Sequence, residues 1–342
     1  VSRARWTRAA RRAGKRWWWL VTAALITVGL LVAISRRGEL GRAWHLLTHV
    51  SPLKAAVALL LQAVSLLCLA ALQRWLLATG GVRLSLATMM PLELGANAMA
   101  GAVPGGAAFG AAWLYRQFRR RGADQALTAT TLAMAGAFSA MALLLIMVLG
   151  ALTAGSRGPG ALLLRVVAVL ALVALAAVLL LRISAVRRAV DRGCRRTEAR
   201  FGRLRTADAA LRRVVRQARA VQPGVRPWLW PSALAVLNWV FDAACLVASL
   251  WALNIPVPWH GVLLAYGLVQ IPGSLRLTPG GVGIVEAGLT GLLVVYGLPT
   301  SQAFAGALLY RIWNYWLLQP VGWACWVAIT FRNRRTEPPP EG

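Results

Sequence analysis

Apolar residues fall along this chain in blocks of about 20, the length that crosses roughly 30 Å of hydrocarbon. Six blocks predict full transmembrane helices: Trp17–Ile34, Pro52–Leu72, Leu127–Leu152, Ala161–Leu181, Trp228–Trp251 and Ala303–Thr330. Tryptophans stand at several block ends (Trp17 to Trp19, Trp75, Trp228, Trp230 and Trp251), where membrane interfaces favour them. Two further blocks do not fit as spans. One runs from Arg83 to Arg116 and is broken by Pro104-Gly105-Gly106; the other runs from His260 to Gly297 and is broken by Pro279-Gly280-Gly281. Each is too short for two crossings and is interrupted as one crossing would not be. The pattern predicts two re-entrant hairpins of half-helices, because irregular backbone survives at that depth only against protein or a wet cavity.

Charge orients these elements. Arginines cluster in the segments between apolar blocks, which the positive-inside rule keeps cytoplasmic. Arg3 to Arg16 place the N-terminus inside. The first broken block then begins near Arg83 and ends at Arg116, Arg119, Arg120 and Arg121, inside at both ends. The fifth span ends outside at Asn254-Ile255-Pro256, and Arg332, Arg334 and Arg335 hold the C-terminus inside, so the second broken block begins and ends outside. Gly122 follows Pro104 by eighteen positions, and Gly297 follows Pro279 by the same number. Matched spacing with opposite orientation predicts an inverted repeat, a common transporter architecture. The fold expected is an all-α polytopic membrane protein with six full spans and two broken hairpins. A basic N-terminus (1–16) precedes one membrane domain (17–331) and a short disordered tail (332–342). The domain has a first half at about 52–152, a second at about 228–331, and a basic cytoplasmic loop at 182–226.

Composition agrees. The chain of 342 residues is 58% hydrophobic, with a mean hydropathy of +0.61, which excludes an ordinary soluble domain. Its net charge of +28 is nearly all arginine, and the placement in loops argues against nucleic acid as partner. The four cysteines have no metal-ligand spacing, and the seven Lys/Arg before the first block do not introduce a cleavable signal peptide. Glu39–Val50 carries Leu40, Trp44, Leu47 and Val50 at helical spacing, as a helix lying on the outer interface would. His45 and His49 lack a third ligand nearby and read as a surface pair. No metal or cofactor is expected.

Few ionisable residues lie inside apolar blocks, and those at risk of membrane depth are Glu93, Asp242, Arg276, Glu286 and Arg311. Each costs on the order of 2.5–3.5 kcal/mol at the bilayer centre, so each needs a partner or a wet cavity. Glu286, two turns past Pro279, is expected to meet Arg311, near Asn314, Tyr315 and Trp316, either as a structural pin or as part of a transport path. The Pro-Gly-Gly breaks start half-helices whose N-termini attract anions, with Arg116 and Arg276 adding positive charge at the two mouths. A lipid phosphate is the natural anion there; the alternative is that the glycines only permit close packing. "GVGIVE" from Gly281 lacks the last glycine of a dinucleotide fingerprint, and no P-loop is present, so transport is expected to be passive, ion-coupled or partner-driven. The loop at 182–226 holds fourteen arginines against Asp191, Glu198 and Asp208 and suits the anionic inner leaflet or a partner protein.

The stretch "LTPGGVGIVEAGLTGLLVVYGLPTSQAFAGALLYRIWNYWLLQPVGW" resembles the C-terminal signature of the lysylphosphatidylglycerol synthase transmembrane-region family, flippase-like proteins also known as UPF0104-type. The matching positions are Pro279, Gly280, Gly281, Gly283 and Glu286; Gly297 and Pro299; then Arg311, Tyr315, Trp316, Pro320, Gly322 and Trp323. "NAMAGAVPGGAAFGAAWLYRQFRRRGA" looks like the first-half counterpart but carries Ala107 and Ala108, and no glutamate, where the commoner form has Gly-Glu and an arginine. The resemblance implies a membrane region that in some relatives is fused to an aminoacyl-transferring domain. With only about a dozen residues after the last span, this chain is expected to be a stand-alone member and not an enzyme. The function expected is a plasma-membrane translocase for an anionic or polyprenyl-phosphate-linked lipid. The alternatives are a non-transporting accessory subunit for a lipid or cell-envelope enzyme and a lipid-linked glycosyltransferase, which is disfavoured because only Glu39 is clearly outside to bind metal or act as base.

Overall fold

Ser51 in extended backbone, followed by Pro52 with its fixed φ, starts α1 (Pro52–Thr79). Its 28 residues extend ~42 Å, beyond the thickness of a hydrocarbon core. Asp124 starts α4 (Gln125–Thr153): its carboxylate accepts from the Leu127 N–H at 2.6 Å. With α5 (Arg226–Ala252), these are three helices long and apolar enough to cross a membrane, and each coincides with a predicted span. The computed structural model describes residues 42, 45–154, 226–276 and 278–336. The predicted spans Trp17–Ile34 and Ala161–Leu181, the basic loop up to residue 225 and the tail beyond 336 lie outside the described residues. Of the expected interfacial segment, residues 45–48 are helical, and Leu46, Leu47 and Val50 pack on the core. The His45 and His49 rings stack 4.3 Å apart.

Each broken block folds as two short helices around its break. The first gives α2 (Leu86–Ala102) and α3 (Ala107–Arg120); the second gives α6 (Val262–Leu275), a 3-10 turn at Pro279–Gly281 and α7 (Ile284–Val295). At 12 to 17 residues, each spans only ~18–25 Å, short of a crossing. Within each block the two helices pack on one another.

The last predicted span, Ala303–Thr330, is divided. It consists of α8 (Thr300–Arg311), a π turn at Ile312–Trp316 and α9 (Leu318–Thr336). The Leu317 N–H bonds the Ile312 carbonyl at 2.9 Å, closing a wider turn that holds one residue more. That residue rotates everything after it by about 100° relative to an unbroken α-helix.

Moving along the chain by the 175 positions that separate Pro104 from Pro279 carries α1 onto α5, α2 onto α6 and α3 onto α7. The same shift carries the start of α4 at Gln125 onto the start of α8 at Thr300. α3 and α7 even end alike. Gly122 (φ +89) and Gly297 (φ +97) turn left-handed, and the next N–H in each case (Ala123, Leu298) returns 3.1 Å to a carbonyl five residues back (Phe118, Leu293). Only glycine takes that backbone freely.

The halves interlock. α1 and α5 run antiparallel along most of their length; the Ser51 N–H bonds the Ala252 carbonyl at 3.1 Å, and the Ser65 hydroxyl bonds that of Asn238 at 2.8 Å. α4 of the first half packs on α6 of the second, and α9 of the second packs on α2 of the first. Small residues permit both crossings. A Cβ at Gly150 would stand 2.6 Å from the Leu264 nitrogen, and one at Gly322 would stand 2.4 Å from the Leu94 carbonyl oxygen. Because the obstruction at Gly322 is backbone, Gly322→Val should destabilise the protein by about 1–3 kcal/mol, the cost of overpacking. This is measurable as a lowered melting temperature in detergent; an unchanged melting temperature would contradict the close α2–α9 contact.

Candidate functional site

Halfway along α1, between that helix, both short-helix pairs, α5 and the π turn, lies a cavity of about 460 Å³. α1 contributes one face: Gln62, Ser65, Leu69 and Gln73. The first half's short helices contribute mostly small residues, among them Ala96, Ala100, Ala107, Gly110 and Ala111, and these leave the space. The second half contributes most of the polar groups.

Asp242, on α5, is buried at the centre. One carboxylate oxygen accepts from the Tyr266 hydroxyl, the Tyr310 hydroxyl at 2.9 Å and the Gln270 amide at 2.8 Å; the other accepts from the Asn314 amide at 2.7 Å. Four neutral donors from α6, α8 and the π turn thus satisfy a carboxylate that an apolar interior would otherwise reject. The network ties four elements of the second half to one point.

Glu286 and Arg311 meet as the sequence suggests, at 2.8 Å, with only 13% and 5% of their side chains exposed. Arg311 also donates to the Gly280 carbonyl at 2.8 Å and lies 4.6 Å over the Tyr315 ring. The other Glu286 oxygen accepts from the Gly283 N–H at 2.7 Å. The pair is therefore a clamp: Arg311 grips the break, and Glu286 caps the helix that follows it. The protein's own carboxylate thus stands at the N-terminus of α7, where the sequence reading places a substrate anion. Gly280 itself (φ +61) lies under Tyr315, where a Cβ would come within 2.0 Å of the ring.

The two breaks touch. The Gly105 N–H donates to the Arg276 carbonyl at 2.8 Å. Arg276 has a left-handed backbone (φ +46), which costs a residue with a side chain roughly 1–2 kcal/mol. Its guanidinium donates to the Asn97 carbonyl at 3.1 Å and to the Asn97 side-chain oxygen at 2.6 Å. Arg276 lines the cavity, and none of the described carboxylates forms an ion pair with it. Strain held at a cation that faces a cavity makes Arg276 a candidate site residue.

Glu93 also lines the cavity, is 7% exposed, and makes no hydrogen bond or ion pair among the described residues. Gln73, 6% exposed, is likewise unpartnered at its side-chain oxygen. Leaving such a buried atom unpaired costs about 1–3 kcal/mol, and more for a charged one.

Other expected site residues stand elsewhere. Arg116 is exposed, on a different face of α3 from Ala107, Gly110, Ala111 and Leu114, which line the cavity. Helix phase alone separates it from them. Trp316 is 50% exposed and points away, while Asn314 and Tyr315 face in. Pro104, Gly105, Gly106, Pro279, Gly281 and Gly283 shape the turns without lining the cavity. Attention to charge alone missed Gln62, Gln73, Asn97, Tyr266, Gln270 and Tyr310. The available signal was uncharged polar residues inside apolar blocks, with Gln62, Ser65, Leu69 and Gln73 at helical spacing on one face.

If the clamp works as a unit, Glu286→Gln and Arg311→Gln should each lower stability, by about 3–5 kcal/mol where a buried charge is left alone. Arg311→Gln should be the worse, since it also releases the Gly280 carbonyl. The double variant should lose less than the sum of the singles in thermal unfolding; strict additivity would mean that the two side chains act independently.

Comparison with known proteins places this geometry in a family. A UPF0104 membrane protein of Methanothermobacter thermautotrophicus is 30% identical over 89 residues, and the match covers 26% of this chain and 27% of that relative's length. Residues 15–322, most of the chain, match the family described as lysylphosphatidylglycerol synthase TM region, and the chain belongs to that family of membrane proteins.

Proposed function

We propose that this protein is a lipid translocase of the plasma membrane, moving an anionic or polyprenyl-phosphate-linked lipid between leaflets with the headgroup passing through the central cavity. The observation that carries this reading is Arg276: a guanidinium held in strained backbone, facing a polar cavity halfway along membrane-length helices, with no carboxylate paired to it among the described residues. A phosphate headgroup supplies the missing negative charge and suits the forked guanidinium donors. The small residues of the first half supply the room. Arg276, Asn97 and the Asp242 network form the path, while the Glu286–Arg311 clamp keeps the second break rigid beside it. The equal spacing of elements in the two halves and the placement of arginines support an inverted arrangement, with both termini cytoplasmic.

Reconstitution into liposomes with a panel of labelled lipids tests the function. An anionic lipid should cross at a rate that Arg276→Gln lowers by about tenfold or more, the effect expected when a charge-assisted contact is lost. Movement of no lipid in the panel, with an enzyme co-purifying instead, would favour the accessory-subunit reading. Topology can be tested separately at two equivalent positions. In a cysteine-free background, Thr300→Cys should react with an impermeant thiol reagent only from outside and Gln125→Cys only from inside. Labelling of both from one side would end the inverted arrangement.

A further inference from the structure

The cavity is longer than its central network needs. Gln62 and Gln73 lie on one face of α1, eleven residues apart, so the lined groove extends ~16 Å along that helix. Asp242 and its donors occupy the Gln62 end. The opposite end holds Gln73 and Glu93. α1 and α2 are consecutive helices packed on each other, and Ala70 and Leu77 share a cluster with Met89, Leu92 and Ala96. That packing sets Gln73 and Glu93 at the same level. Asn97, which holds Arg276, is one turn farther along α2 than Glu93, a rise of ~6 Å.

The three side chains differ in what they lack. Arg276 lacks an anion. Glu93 and Gln73, both more than nine-tenths buried and both lining the groove, have oxygens without donors. None of the described cations pairs with Glu93; the clamp uses Arg311, and Arg276 is turned to Asn97. An anion site and an acceptor site about one helical turn apart match a headgroup that carries a phosphate and, a few bonds away, groups with polar hydrogens.

We infer that the cavity reads two parts of one headgroup, its phosphate at Arg276 and its hydrogen-bond donors, hydroxyl or ammonium, at Glu93 and Gln73. The idea rests on the lipid reading above for the kind of ligand, but it concerns binding and can be tested without transport. Glu93 and Gln73 are the specificity-determining residues, and Arg276 is the common anchor.

The test uses the full chain in detergent, with three dioctanoyl probes titrated by calorimetry. Phosphatidylglycerol offers a phosphate and hydroxyls, phosphatidylethanolamine a phosphate and an ammonium with N–H groups, and phosphatidylcholine a phosphate and a cation without N–H. At least one of the first two should bind about tenfold or more tighter than phosphatidylcholine, as expected when two buried, unpartnered side chains each gain a hydrogen bond. Which of them leads identifies the donor as hydroxyl or ammonium. Glu93→Gln, nearly isosteric, and Gln73→Leu should each shrink that preference at least threefold. Arg276→Gln should weaken all three. Equal binding of the three probes, no binding of any, or a preference unaltered in both Glu93→Gln and Gln73→Leu would overturn the inference and leave these oxygens to water. Selective binding without movement in liposomes would sink the translocase reading and keep this one; movement without headgroup preference would do the reverse.

Discussion

The guanidinium of Arg311 on the Gly280 carbonyl is the contact on which this architecture depends. A chain interrupted by Pro279-Gly280-Gly281 is held at the break only by a short 3-10 turn, which leaves the Gly280 carbonyl to find another donor, and an unpaired carbonyl in an apolar interior is expensive. Arg311 satisfies that carbonyl, stacks on Tyr315, and carries its charge to Glu286, which in turn caps α7. The π turn that follows rotates Asn314 toward Asp242 and Tyr315 toward Gly280 and Gly101. One buried charge pair thus fixes the break, the helix after it and the inner face of the last helical segment.

Nothing equivalent stands in the first half. At the same spacing, the positions of Glu286 and Arg311 are occupied by Ala111 and Gly136. The first break is held instead from across the repeat, by the Gly105 N–H on the Arg276 carbonyl. The two halves share a succession of elements but divide the work. The first supplies small side chains, and hence volume; the second supplies the clamp and most of the polar network. Arg276 joins them, its carbonyl bound to one break and its guanidinium to α2. That double attachment explains how a non-glycine residue stays in left-handed backbone.

The Glu286–Arg311 contact was legible because charges are rare in apolar blocks and must find partners. Arg116 looked equally eligible by charge, but its helix phase turns it outward. Asp242 stood out as a charge, whereas the tyrosines and amides that surround it come from α6, α8 and the π turn, and no local pattern joins them. The division of Ala303–Thr330 was hidden for a similar reason. A π turn keeps the composition of a span while shifting its phase, and hydropathy registers only composition.

By itself the sequence determined the membrane class, the long spans Pro52–Leu72, Leu127–Leu152 and Trp228–Trp251, the two broken blocks, and the family. The class, the spans and the broken blocks follow from local physics: apolar length against a bilayer, and proline and glycine against a helix; the family follows from the motif that resembles it. Only the tertiary structure decided that the two breaks touch, that Glu286 caps its own helix, and that Glu93 and Gln73 share one end of a groove with Arg276. Those facts depend on helix phase and on which helices pack together, and packing is settled by the whole interior at once, through close crossings such as Gly150 on Leu264 and Gly322 on Leu94.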